Sequence, residues 1–301
     1  RGEGGDEASV GGVGSGIPCL AGGRRCGLVA HVYIVQHFVF QALALNREGG
    51  GQLALCQGQS SKTIALQYTY ALLCPLEGRE RSSGSGGCGM ADQAKAAVEF
   101  AQKNGERFVE ELKALLRIPS ISTLPEHAGD VRRAAEFVAA ELKRIGMEHV
   151  RLIETATAER PGGHPLVYAD WLNGAPAADG KPAPTVLCYG HYDVQPPDPL
   201  DEWKSPPFEP AEREGNLYAR GAVDDKGQMW MHVKALEALM ETGGGKLPVN
   251  VRVIVEGEEE VGGEGIADFV REHGDQLRAD VALVSDTEMF AADLPTLCVG
   301  L

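Results

Sequence analysis

The sequence is short of positive charge: 28 Lys and Arg stand against 43 Asp and Glu in 301 residues, a formal net charge of −15. It therefore lacks the basic face that nucleic-acid phosphates require and the polybasic cluster that an anionic membrane surface attracts. Its 7 cysteines lack paired C-x-x-C metal-ligand spacing. No secretory context is evident in which they would define a disulfide framework. Cys188 and Cys298 lie in apolar runs and read as small buried hydrophobes. No period of 20–50 residues repeats, and no methionine precedes Met90.

What is present divides into two compositions. Residues 1–90 hold 19 of the 39 glycines and five of the 7 cysteines, with a net charge of +1. Residues 91–301 carry the remaining −16. The stretch from Ser82 to Gly89 (SSGSGGCG) reads as a spacer that fixes no conformation. The simplest reading starts the native protein at Met90 and takes residues 1–89 as disordered upstream sequence read through in frame. A competing reading is a targeting segment: Arg24 and Arg25 precede an uncharged run from Leu28 to Leu45, interrupted by His31, Gln36, His37 and Gln41. A functional disordered extension is the third reading. The first places the protein in the cytoplasm.

After Met90, apolar residues at helical spacing predict one helix over 91–117, stopped by Pro119, and a second over 130–145, capped by Asp130 and ended at Gly146. Short β-branched runs at 150–153, 166–171, 185–189, 249–255 and 281–284 predict strands. Further helices are expected over 228–240 and 265–273. Strands alternating with helices predict an α/β fold with a mostly parallel sheet sandwiched by helices.

Chemistry-bearing residues follow these segments. The run 185–189 leads into Gly190-His191-Tyr192-Asp193. The run 249–255 leads into Glu256-Gly257-Glu258-Glu259-Glu260. The run 281–284 leads into Ser285-Asp286, and a fourth segment, 217–223, leads into Asp224-Asp225-Lys226-Gly227. Open α/β sheets bind ligands at the carboxyl ends of their strands. Five or more carboxylates gathered there repel one another unless protonated or bound to cations. One imidazole among carboxylates suits zinc or manganese better than calcium, and enough ligands exist for two ions. Asp193, two residues from His191, is placed to hold the second imidazole nitrogen. Of Glu259 and Glu260, one would bind metal and the other would take a proton from water.

Each signal has a plainer explanation. His127, His149, His164, His232 and His273 need no functional role. Acidic runs such as Glu258–Glu260 are usually solvated, and Asp224-Asp225 could cap the following helix. Joint placement at four successive segment ends is what favours a site.

The four motifs, His191 with Asp193, Tyr218 to Gly227, Glu256 to Gly262, and Ser285-Asp286, resemble those of the di-zinc metallopeptidase superfamily of aminoacylases, carboxypeptidase G and dipeptidases. Asp201-Glu202-Trp203 and Pro206-Pro207-Phe208 bring the resemblance nearest to the carnosinase and cytosolic non-specific dipeptidase branch. The resemblance spans 105–301. It implies two divalent ions, zinc first and manganese second, held by His191, Asp224, Glu260 and Asp286. Asp224 would bridge the ions, joined to Asp225 by a cis bond. Asp193 would back His191, and Glu259 would be the general base in hydrolysis of a dipeptide amide. An N-acyl amino-acid deacylase on the same scaffold is the alternative, and a non-catalytic metal-binding relative the next. Family members also carry a lid domain that often dimerises, and a later histidine ligand. The expectation is therefore a fragment in which 90–301 is the first part of a catalytic domain, inactive alone, from a protein that homodimerises through its lid.

Overall fold

A computed structural model describes residues 87–176 and 180–286, with side chains from residue 93 onward. The expectations for a disordered leader, for Leu28–Leu45 and for Cys298 lie outside the described residues. No helix among the described residues is long and apolar enough to cross a membrane.

The first predicted helix is two: α1, Gly87–Lys103, and α2, Gly105–Leu116. Asn104 interrupts them, its side-chain amide donating back to the Phe100 carbonyl at 2.8 Å. Such local bonding lets asparagine compete with helical backbone bonds. Helix α1 begins inside the stretch read as a spacer; each added residue at a helix end gains one backbone bond once the helix is nucleated. Helix α3, Ala128–Arg144, starts two residues before the predicted boundary. Asp130 therefore lies within its first turn and pairs with His127 and Arg133 rather than capping. Gly146, at φ +92°, ends the turn as expected.

The strands are β1 Glu148–Ile153, β2 Leu166–Trp171, β3 Thr185–His191, β4 Ala211–Arg213, β5 Asn216–Tyr218, β6 Asn250–Glu256 and β7 Val281–Val284. Helix α4, Lys226–Thr242, precedes β6, and α5, Glu264–His273, follows it. The main sheet has 5 strands in the order β1-β2-β6-β3-β7. β3 runs parallel to β6 and β7, whereas β2 is antiparallel to both its neighbours, so only β2 points against the rest. The strands β4 and β5 form a separate hairpin.

Alternation along the strands explains the two covered faces. Val167, Ala169 and Trp171 of β2 and Val251, Val253 and Val255 of β6 share one core with Leu112, Leu115, Val138, Met229 and Val233 of the helices α2, α3 and α4. Leu166 and Ile254 point the other way, onto Phe269 of α5. All six residues of β2 are buried. The α/β sandwich expected from the sequence is thus present.

Register places the chemistry. β3 and β6 pair from Thr185↔Asn250 to His191↔Glu256, and β7 joins β3 from Val186↔Val281 to Tyr189↔Val284. The carboxyl ends of three parallel strands therefore lie side by side. The fourth motif arrives differently. Its segment leaves the main sheet, and Asp224 and Asp225 occupy the turn before α4. A short hairpin and a tight turn, not a fourth sheet strand, deliver it.

Candidate metal centre

His191, at the end of β3, is fully buried. Its Nε2 lies 3.2 Å from Asp224 Oδ1, 3.7 Å from Asp286 Oδ2 and 4.0 Å from Glu259 Oε2. No hydrogen bond satisfies that nitrogen. Ligand atoms of His191, Asp224 and Asp286 all fall within 4.8 Å of one another. The two aspartates are part-exposed, so the cluster has a closed back and an open front. A buried polar atom without a partner is rare and costly. Here it faces two carboxylates, and a divalent cation fits that donor set of one imidazole and carboxylate oxygens.

The other imidazole nitrogen, Nδ1, faces the Asp193 carbonyl at 3.1 Å and its Oδ1 at 3.3 Å. Asp193 is itself fully buried. Its Oδ2 accepts from the Ser122 hydroxyl at 2.6 Å and from the Glu260 amide at 3.2 Å.

The three glutamates after Gly257 diverge because the chain turns into a 3₁₀ segment, Glu259–Val261, instead of staying extended. Glu258 turns inward and accepts from Arg160 Nη1 (2.9 Å) and from the amides of His164 (3.1 Å) and Gly265 (2.9 Å). Glu259 faces His191. Glu260 accepts from Gln195 Nε2 at 2.7 Å. The structure thus brings together His191, Asp193, Asp224, Asp286 and Glu259, and turns the Glu260 carboxylate toward Gln195.

The Asp224–Asp225 bond is cis, as the resemblance implied. Asp225 stands at the N-cap position of α4 but makes no capping bond. Its Oδ2 accepts from the His191 amide at 3.0 Å instead. Gly190 permits this approach, since a Cβ there would lie 2.7 Å from that oxygen. Next in sequence, the fully buried Lys226 donates to the carbonyls of Ile118 (2.7 Å) and Leu115 (3.3 Å) at the end of α2. His232, read as needing no role, is buried and lies 2.5 Å from Ser285 Oγ, beside Asp286.

Electrostatics record the surplus of negative charge. Burial disfavours a charged imidazole, yet Asp193 and Asp224 outweigh it and push the His191 pKa up to about 11. Burial raises Glu259 and Asp286, opposed by His191 and reinforced by neighbouring carboxylates. Burial also drives Asp225 and Glu256 up to about 7. Asp224 moves down, drawn by the His191 imidazole 3.2 Å away.

The sequence reading singled out neither Ser122, Glu258 nor His232 as part of the site. Serine 71 positions from its partner has no local signature. Glu258 looks like its two neighbours until the chain turns.

Comparison with known proteins agrees with the resemblance. Residues 187–295 match the model of peptidase family M20/M25/M40. The cysteinylglycine-S-conjugate dipeptidase of Corynebacterium striatum is 36% identical over 213 residues, covering 70% of this chain and 44% of that protein. The Cys-Gly metallodipeptidase dug1 of Schizosaccharomyces pombe is 32% identical over 206 residues, 67% of this chain and 42% of that protein. The crystal structure of human carnosine dipeptidase 1 superposes with a TM-score of 0.57 at 28% identity, over 64% of this chain and 41% of that one. The chain spans less than half the length of these proteins. It is a relative of the M20 metallopeptidases.

Proposed function

We propose that this relative of the M20 metallopeptidases carries the metal-binding part of a dipeptidase active site. In this reading His191, Asp224, Glu260 and Asp286 hold two divalent ions, zinc first, and Glu259 is the general base. The observation that carries it is the fully buried His191 nitrogen without a hydrogen bond, 3.2 Å from one carboxylate and 3.7 Å from another. The dipeptidases among its relatives supply the substrate class.

Divalent cations in such a site supply positive charge that polarises a carbonyl and makes hydroxide available near neutral pH. The protein's own groups do the rest. Asp193 holds His191 Nδ1, so that Nε2 presents its lone pair to the front of the site. Burial raises the Glu259 carboxyl from its ordinary value, the direction that favours a group taking up a proton. It takes a proton from the attacking water. As the amide C–N bond breaks, it returns that proton to the departing amine nitrogen.

Metal analysis and dipeptide turnover test this reading together. Bound zinc or manganese is expected, and Asp224→Ala should reduce it. A protein that binds neither ion would overturn the metal centre. Cleavage of N-acetyl amino acids but not of dipeptides would transfer the activity to the deacylase alternative.

A further inference from the structure

The segment after α2, Ile118-Pro119-Ser120-Ile121-Ser122, is not among the four motifs, yet it is bonded to two of them. Ile121 pairs with Val194 in an isolated parallel bridge. The Val194 amide donates to the Ser120 carbonyl at 3.0 Å. Ser120 Oγ donates to the Tyr192 carbonyl at 2.6 Å. Lys226, next to the aspartate pair, reaches back to the Ile118 carbonyl. This segment is therefore fixed against the loop that carries Asp193, and Ser122 is presented to that carboxylate by the backbone.

We propose that Ser122 is a positioning residue that acts through Asp193 to orient His191 for metal binding. The proposal rests on the reading of His191 as a metal ligand. A carboxylate can rotate about its last bond and offer either oxygen. The Ser122 hydroxyl, which can only donate to an ionised carboxylate, pins Oδ2 at 2.6 Å. The Glu260 amide pins the same oxygen at 3.2 Å. Oδ1 is thereby left 3.3 Å from His191 Nδ1, an ion-pair contact beside the 3.1 Å hydrogen bond between Nδ1 and the Asp193 carbonyl, so that both parts of the residue hold that nitrogen. Holding the proton on Nδ1 frees Nε2 for a metal. The same carboxylate ties His191 to the turn that carries Glu259, so one hydroxyl steadies both a ligand and the neighbouring base.

Zinc affinity measured by calorimetry on the complete protein provides the test, with Ser122→Ala, Ser122→Thr, Asp193→Asn and the Ser122→Ala/Asp193→Asn double variant. Ser122→Ala is expected to weaken zinc binding about 10- to 100-fold, the usual effect of losing a group that orients a ligand. Ser122→Thr keeps the hydroxyl and is expected to stay within about twofold of the parent, and the double variant within about twofold of Asp193→Asn alone. Parent-like affinity in Ser122→Ala, an alanine-like loss in Ser122→Thr, or a double variant showing the product of both losses would each overturn the positioning role while leaving the metal centre intact. A parent protein that binds no zinc would instead overturn the metal centre itself, and this inference with it.

Discussion

Two carboxylate clusters of this protein have similar ingredients and opposite character. Around His191, the carboxylates of Asp193, Asp224, Glu259 and Asp286 face one imidazole. In the helical layer, Glu111, Glu141 and Glu237 converge just as closely, with oxygens within 4.8 Å of one another. There the cations are built in. Lys234, almost fully buried, contacts all three glutamates. Arg107 bridges Glu111 and Glu237 at 2.8 and 2.7 Å, and Arg144 bridges Glu141 and Glu237 at 2.6 and 2.8 Å. Three positive charges meet three negative ones and join α2, α3 and α4. Lys234 also lies 4.4 Å from the Trp230 ring. Carboxylate proximity alone thus does not mark a metal site. What marks it is negative charge left without an internal partner, together with a buried nitrogen aimed into the gap.

The contrast can be broken at its most sensitive point by Glu259→Gln. Turnover should fall about 10²- to 10⁴-fold while bound metal is retained, because only proton transfer is lost. Steady-state kinetics with metal analysis on the same sample checks both halves. In the helical cluster, Lys234→Met should cost about 3–5 kcal/mol in urea unfolding, since three glutamates then lose a shared buried cation. It should leave zinc binding in place.

Zinc should stabilise the protein by about 2.7 kcal/mol at a free concentration 100 times its dissociation constant. Asp224→Ala should blunt this response in thermal unfolding, and Glu237→Gln should lower the baseline but keep the response. A zinc response that disappears in Glu237→Gln and persists in Asp224→Ala would reverse the two assignments.

The smallest effect is a pH limb. Burial alone would raise Glu141 and Glu237, but their bonds to Arg144, Arg107 and Lys234 outweigh it and hold both below the usual carboxylate range. A depressed carboxylate contributes stability that is full above its unfolded pKa of roughly 4.3 and is lost as pH falls through the folded value. Stability should therefore decline as the pH falls below that unfolded value. Glu237→Gln should flatten that decline in denaturant titrations run from pH 7 to 3.

Much of the site was legible because its motifs are local. His191 and Asp193 are two residues apart, and the strands 166–171 and 281–284 coincide with the observed β2 and β7. Alternation and β-branching encode such strands over a few residues. The errors have a common cause. Asn104 divides a helix through a side-chain bond that periodicity does not register. The segment 217–223 before Asp224 only starts in a hairpin strand, Asn216–Tyr218, outside the main sheet, and then runs through turns. In extended chain the adjacent Glu259 and Glu260 would point to opposite sides. The 3₁₀ turn instead sends one carboxylate inward, one to His191 and one to Gln195.

By itself, the sequence determined the alternation of strands and helices, the residue types that deliver imidazole and carboxylates to strand ends, and a charge surplus calling for cations. Those properties depend on neighbours within a few positions and on composition. Only the tertiary structure decided which of the two acidic clusters is already neutralised. Lys234 and Glu111 are far apart in the chain, as are Ser122 and Asp193, and only packing brings each pair together. Register between β3, β6 and β7, together with the turn that delivers Asp224, then converts four separate motifs into one front. Each long-range contact is set by how the helices and the sheet bury their apolar faces, and no short window of residues contains that information.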